Sequence, residues 1–398
     1  FFMITLLFCA ALSRREKGER LTRHALIICL SVALASCTTV KPPPAGVGEA
    51  LDWRQVEGWE QDAHAEAWPA LLRSCRVMAS RPNWGHLCRA AQDAPEPDHA
   101  GARRFFERWF TPHRLYGPGG QRTGLVTGYY EPLLFGSFQP GPRYRYPLYG
   151  PPDTLLSVEL AGLHPELKGR RVRGRLDGSK VVPFYSRREI DSDRSLLAGH
   201  ELVWIDDRDA VFFLHIQGSG RIRLPDGRLI GAGYSDQNGH PYLAIGRILL
   251  QRGELKREDI SLFSIREWLR NHPDEAEALL FRNPSYVFFT LRESPGEGPV
   301  GSLNVPLTAQ RSIAIDPRWA GLGFPVWLST NFPGHPERPY RRLVFAQDTG
   351  GAITGLRADL FWGHGEHAER AAGVMKENGS LIVLLPDAAH AAGSGAQE

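Results

Sequence analysis

At 398 residues, 42% hydrophobic and 23% charged, the chain is long enough to bury two cores. A formal net charge of +3, with no Lys/Arg block interleaved with aromatic residues, argues against a nucleic-acid partner. The 42 glycines, 30 prolines and 10% aromatic residues favour many short strands joined by tight turns over long helices.

The first signal in chain order is a targeting one. Arg14, Arg15, Lys17, Arg20 and Arg23 form a basic stretch, and the apolar run Ala25–Leu34 that follows is too short for a comfortable membrane span. It closes on Leu34-Ala35-Ser36-Cys37, which resembles the lipobox of bacterial lipoproteins. Residues 1–37 then read as a signal segment, with Cys37 the acylated first residue of the mature chain. Thr38, where Asp would imply retention at the inner membrane, favours the outer one. The residues ahead of Arg14 read as an apolar stub in front of a misplaced start. Residues 38–50, with Lys41-Pro42-Pro43-Pro44, read as a stiff tether. Cys9 and Cys29 fall in the removed segment, which leaves Cys75 and Cys88 in an oxidising compartment. There they either form a disulfide or stay as two buried thiols. The sequence has no C-x-x-C, which argues against a zinc ribbon or thioredoxin motif.

Apolar spacing predicts helices over Ala67–Ala79 and Ala102–Phe110, on either side of a Pro-rich loop at Ala94–Pro97. The pattern then turns to strands at Gly124–Tyr130 and Val211–Gln217. A hairpin follows, Ile222–Leu224 and Arg228–Ile230 across Pro225-Asp226-Gly227. Pro241–Leu250, Ile260–Leu269 and Asp274–Phe281 read as helices. Strands return at Tyr286–Leu291, Ser312–Ile315, Phe324–Ser329, Arg342–Gln347 and Leu381–Leu385, and the small, polar tail 388–398 is expected to be disordered. No fixed repeat period is present. The expected class is mainly β, as barrels or sandwiches with a few peripheral helices.

The stretch Phe345–Gly373 carries the most pointed chemistry. Asp348 follows the apolar run Leu343–Ala346 and opens a Thr349-Gly350-Gly351 turn. Asp359 precedes Leu360, Phe361 and Trp362, which can strip water from its carboxyl and raise its pKa until it holds a proton near neutrality, as a general acid must. Aspartates also serve turns for their backbone geometry alone. A G-x-S-x-G elbow, a Walker loop and G-x-G-x-x-G are all absent. His364 and His367, with Glu366 between them, lack a third ligand, so no metal and no cofactor are expected. Tyr129-Tyr130-Glu131, Trp204, Trp327 and Trp362 offer rings that stack on sugar C–H faces, with Gln217 as an amide partner for hydroxyls; the same rings also fit a protein core.

Six ordered blocks bring these features together: the lipobox, Thr127–Pro132, His215–Gly220, Asn238–Tyr242, Asn283–Phe289 and Gln347–Gly373. Over nearly the whole mature chain they resemble the membrane-bound lytic murein transglycosylase A family. The resemblance implies a double-psi β-barrel domain from 51–131 and 291–387, a second β-rich domain inserted over 132–290, and a substrate groove between them. It makes Asp359 the single acid/base and Asp348 its supporting aspartate, with Thr127, Gly128, Tyr129, Tyr130, Gln217 and Ser219 lining the groove. It implies cleavage of the N-acetylmuramic acid–N-acetylglucosamine bond of peptidoglycan, leaving 1,6-anhydromuramyl ends. The implied partners are glycan strands, the outer membrane through a lipid anchor, and peptidoglycan synthases, at the periplasmic face of that membrane. Two other functions fit the same residues. One is a hydrolase using both Asp348 and Asp359, and the other a lipid-anchored peptidoglycan-binding scaffold without activity.

Overall fold

The computed structural model describes residues 45–387, apart from 166–171, 295 and 297. The lipobox with Cys37, and the tail 388–398, lie outside the described residues. Strand β1 (Gly46–Ala50) pairs antiparallel with β2 (Phe110–Tyr116), and α1 (Trp68–Met78), α2 (Gly85–Asp93) and α3 (His99–Trp109) fall between them. Five residues read as tether are thus a strand. The pairing edge that recruits them comes from β2, some 65 residues away in sequence, which no local pattern announces.

Helix α1 has proline in its first turn, where a missing N–H costs nothing, and buries Trp68, Leu71, Cys75 and Met78. Helix α2, which sequence periodicity did not reveal, buries Leu87, Cys88 and Ala91 along one face. The question left open for the two cysteines is resolved, since Cys75 and Cys88 form a disulfide with Cα atoms 5.4 Å apart across a separation of 13 residues. Replacing both by serine is expected to destabilise the protein by about 3 kcal/mol, chiefly by freeing the unfolded chain; urea unfolding of the variant against the oxidised parent measures it.

After β3 (Gly124–Glu131) the chain leaves through β4 (Leu133–Ser137), β5 (Tyr146–Tyr149), β6 (Leu156–Val158), β7 (Val172–Asp177), β8 (Lys180–Val182), α4 (Arg187–Ser192) and β9 (Glu201–Ile205). It continues through α5 (Arg208–Gln217), β10 (Ser219–Arg223), β11 (Leu229–Gln237), α6 (Ile245–Arg252), α7 (Leu262–Asn271), α8 (Pro273–Leu280) and β12 (Val287–Arg292). The last part comprises β13 (Ser312–Ile315), β14 (Pro325–Phe332), β15 (His335–Asp348), β16 (Ala358–His364), α9 (Glu366–Val374) and β17 (Lys376–Pro386).

Strand β17 pairs with both β14 and β3, so the order β17-β14-β15-β13-β16-β3 returns to its start as a closed ring. Two pairs in that ring, β13–β15 and β16–β3, are parallel, and the others are antiparallel. Closure leaves these six strands without a free edge. Val126, Ile313, Val326, Leu328, Val344, Leu360 and Val383 form one core, while Trp327, Leu343, Phe345 and Leu384 face α1–α3 in another. A second sheet, β12-β11-β10-β4-β9-β5, and a small one, β6-β7-β8, are built from the middle of the chain.

Two expectations change here. Val211–Gln217, read as a strand, is the body of α5. Its run of buried side chains has no usable period, and the ends decide: Asp207 accepts from the N–H groups of Asp209 and Ala210, and Gly218 stops the helix at φ 78°. The helices of the middle region are also more than peripheral decoration, because Phe212, Phe213, Ile245, Leu249, Trp268 and Leu279 pack into a core of their own. The strands remain the frame.

Arg311 fastens the N-terminal segment to this frame. Its guanidinium is buried and donates to both carboxylate oxygens of Asp62 (2.7 and 3.0 Å), to Glu66 (2.8 Å) and to the carbonyls of Ala63 and Leu343 (3.0 Å each).

Candidate active site

Four strands set one row of side chains. Ala314 on β13 is in register with Asp348 on one side and Asp359 on the other, and Asp359 is in register with Thr127 on β3. Neighbouring strands lie about 4.8 Å apart, so the two aspartates are held about 10 Å apart at the backbone with an alanine methyl between them.

Strand alternation sorts the neighbours of Asp359. Leu360 and Trp362 turn into the barrel core, which leaves Phe361 of the three expected apolar neighbours on the acid's own face. There it meets Tyr129, with ring centroids 5.3 Å apart, and Leu307, Ala314 and Ile353 complete a dry patch. Burial among these groups pushes the Asp359 carboxyl up to about 7, and the charge of Asp348 adds to the rise. The Thr127 hydroxyl, which donates to Asp359 Oδ1 at 2.8 Å, and the Arg357 guanidinium pull the other way.

Asp348 is held differently. Tyr129 Oη donates to its Oδ2 at 2.9 Å, and the N–H and hydroxyl of Ser302 both donate to its Oδ1 at 2.9 Å. Burial raises its pKa, and these donors oppose the rise by favouring the charged form. One carboxyl is therefore set to keep a proton near neutrality, while the other is held by several hydrogen-bond donors. Ser302 was not foreseen. It lies 46 residues from Asp348, and no motif marks it.

The structure brings together Thr127, Tyr129, Asp348 and Asp359, and separates other expected members of the site. Gly128 is on the opposite face of β3, where a Cβ would sit 2.8 Å from the Trp362 ring and 2.9 Å from Ala372 Cα. Tyr130 faces that way too, and its hydroxyl donates to Glu369 (2.9 Å), which also takes Arg266 (2.6 Å). Both residues serve packing between β3 and α9. Gln217 accepts from the Tyr130 N–H at 3.0 Å and so ties the end of α5 to β3. Ser219 is buried at the start of β10. Glu131, at the end of β3, pairs with Arg221 (3.1 Å) and Arg292 (3.6 Å), which joins the ring to β10 and β12. Tyr242, part-exposed beyond β11, comes near enough to Arg357 to feel its charge. Among the described residues no three His, Cys, Asp or Glu side chains gather as a metal-ligand set, and no helix is long and apolar enough to cross a membrane.

Residues 125–290 match the MltA specific insert domain, and residues 311–385 match the 3D domain. The chain is 34% identical over 272 residues to the membrane-bound lytic murein transglycosylase A of Escherichia coli strain K12; the match covers 65% of this chain and 64% of that protein, just under two thirds of its length. It is also similar to the crystal structure of a membrane-bound lytic murein transglycosylase from Agrobacterium tumefaciens, at 31% identity and a TM-score of 0.76, covering 86% of this chain and 98% of that one. Similarity extends to E. coli MltA with bound chitohexaose, at 26% identity and a TM-score of 0.67, covering 88% of this chain and 96% of that one. With the insert match spanning the second sheet and the 3D match spanning the strands that carry both aspartates, the chain belongs to the membrane-bound lytic murein transglycosylase A family.

Proposed function

We propose that this protein is a lytic transglycosylase of peptidoglycan with Asp359 as its single acid/base. The observation that carries the reading is the contrast between the two carboxyls: Asp359 is dry, accepts one hydroxyl and is raised to about 7, whereas Asp348 is occupied by three donors. Protonated Asp359 gives its proton to the oxygen linking N-acetylmuramic acid to N-acetylglucosamine. The bond from that oxygen to the muramyl C1 breaks, and C1 gains oxocarbenium character. The Asp359 carboxylate then takes the proton of the same sugar's C6 hydroxyl while O6 bonds to C1. The product is a 1,6-anhydromuramyl end, no water is consumed, and Asp359 regains its proton.

Asp348 positions Tyr129 and the Ser302 segment. A hydrolase would instead need a second carboxylate free to activate water or attack C1. Asp348 fits that role poorly, since its Oδ1 already accepts two hydrogen bonds and its Oδ2 a third. The closed six-stranded ring with two parallel pairs supports the double-psi barrel, and the chitohexaose held by the E. coli relative supports a glycan bound in a groove between barrel and insert. In this reading acylated Cys37 anchors the protein to the periplasmic face of the outer membrane.

Mass spectrometry of products from purified murein sacculi tests the chemistry. Anhydromuramyl ends are expected. Reducing ends would replace the reading by hydrolysis, and retention on sacculi without soluble products would replace it by a binding scaffold.

Thr127 gives a finer test of the acid's environment. Thr127→Val keeps the shape and removes the hydroxyl that favours the Asp359 carboxylate. The alkaline limb of the pH–rate profile is expected to move up by roughly one to two pH units, because a hydrogen bond to a charged group contributes about 1.5–3 kcal/mol. A limb that stays in place would count against Asp359 as the titrating group.

A further inference from the structure

An open depression of about 360 Å³ lies where β5 and β9 pair, and it shares no residue with the site around Asp359. Tyr144 and Trp204 bring half-exposed rings to its lining, and Tyr146 borders it. Trp204 lies opposite Pro147 across the β9–β5 pair, which mounts its ring on a rigid support, whereas Tyr146 lies opposite Ile205 and turns toward the core on the other face of the sheet. Arg145 lies over the Tyr146 ring at 5.6 Å, and Arg194 over the Trp204 ring at 5.8 Å. Neither guanidinium is within ion-pair distance of a carboxylate among the described residues, although Asp191 is near enough to feel the Arg194 charge, whereas the neighbouring Arg143 is paired with Asp206 at 3.0 Å. The depression thus combines aromatic faces, which pack against the C–H faces of sugar rings, with two forked cations, which suit a carboxylate. Its volume sits at the small end of the roughly 300–1,000 Å³ usual for small-molecule sites, which suits one or two sugar rings better than a long strand.

We propose that this depression is a second glycan-binding site, selective for a sugar that carries a carboxylate. The chemistry selects an acidic sugar by itself; taking that sugar to be a muramyl residue of the peptidoglycan strand rests on the proposed activity. Such a site holds the polymer apart from the cleavage point, so that the catalytic face meets a strand already tethered.

Fluorine NMR of the full chain labelled with 5-fluorotryptophan tests it, the Trp204 signal being assigned by Trp204→Phe. Titration with N-acetylmuramic acid is expected to move the Trp204 resonance saturably. N-acetylglucosamine and inorganic phosphate are expected to bind at least tenfold more weakly, and Arg145→Ala with Arg194→Ala to weaken N-acetylmuramic acid at least tenfold. The remaining tryptophan signals report that the double variant is folded, and Tyr144→Ala provides a second, independent lesion with the same expected loss. An unmoved Trp204 signal overturns the proposal. An equal response to N-acetylglucosamine overturns the charge selectivity, and an equal response to phosphate reduces the site to a general anion trap. None of these outcomes depends on which ends appear in the cleavage products, so the binding site and the activity fail separately.

Discussion

Asparagine at position 359 is expected to leave a folded protein whose turnover on purified sacculi falls by about 10²–10⁴, the usual contribution of a positioned general acid and base. Asparagine retains the shape and can still meet the Thr127 hydroxyl, but it has no proton to give and cannot take one. The parent's rate should decline as pH rises through about 7, where Asp359 loses its proton. The parent's stability should decline over the same range. The folded-state pKa of Asp359 is raised above its ordinary value of 3.8, so its favourable contribution is complete below about pH 4 and is lost as pH rises through about 7. At pH 8 the parent carries a poorly solvated carboxylate that Asp359→Asn lacks. The variant should therefore melt several degrees higher at pH 8 and lose that advantage at pH 4. A variant with near-parental turnover would refute the assignment, and an inactive variant with no gain in melting temperature at pH 8 would show that the carboxyl is not raised.

Arg311→Met is expected to be the most damaging substitution for stability, at about 3–5 kcal/mol by urea unfolding. The methionine fills much of the arginine's space, but it abandons Asp62 and the carbonyls of Ala63 and Leu343 without their donor. Asp62 has a further tie, accepting from the Leu343 N–H at 2.9 Å, so the charge left behind stays lodged against β15. Adding Asp62→Leu to Arg311→Met should recover part of the loss, because removing both partners also removes the buried charge that made the single change costly. A loss below about 1 kcal/mol for Arg311→Met would mean that aromatic packing alone holds residues 59–67 in place. That packing is substantial, with Trp59 set edge-on against Trp327 at 5.1 Å.

Much of this organisation was legible before any coordinates. Ser312–Ile315 is a strand with the expected ends, α1 lies within the expected helix, and the hairpin at Pro225-Asp226-Gly227 joins β10 to β11. These are places where local chemistry decides: a turn that only certain residues tolerate, or apolar spacing long enough to have one period. Asp359 as a desolvated acid was legible in part: of the three apolar residues that follow it only Phe361 shares its face, and Tyr129, Leu307 and Ile353 complete the dry patch from elsewhere in the chain.

Other features depended on partners distant in the chain. Val211–Gln217 has too little periodicity to choose between strand and helix, and its capping by Asp207 and Gly218 settled the matter. Ser302 reaches Asp348 because the loop before β13 folds back over the end of β15. The disulfide required α1 and α2 to bring two cysteines within bonding distance.

By itself, the sequence determined that this protein is mainly β, that a pair of aspartates flanks one turn, and that apolar residues follow the second. Tertiary structure alone decided which face each residue presents. Register across β15, β13, β16 and β3 places Asp348, Ala314, Asp359 and Thr127 in one row and turns Gly128 and Tyr130 to the opposite side of β3. A strand's alternation is written locally, but the side that becomes the site is set by how distant strands pair, since a shift of one residue would exchange the two faces.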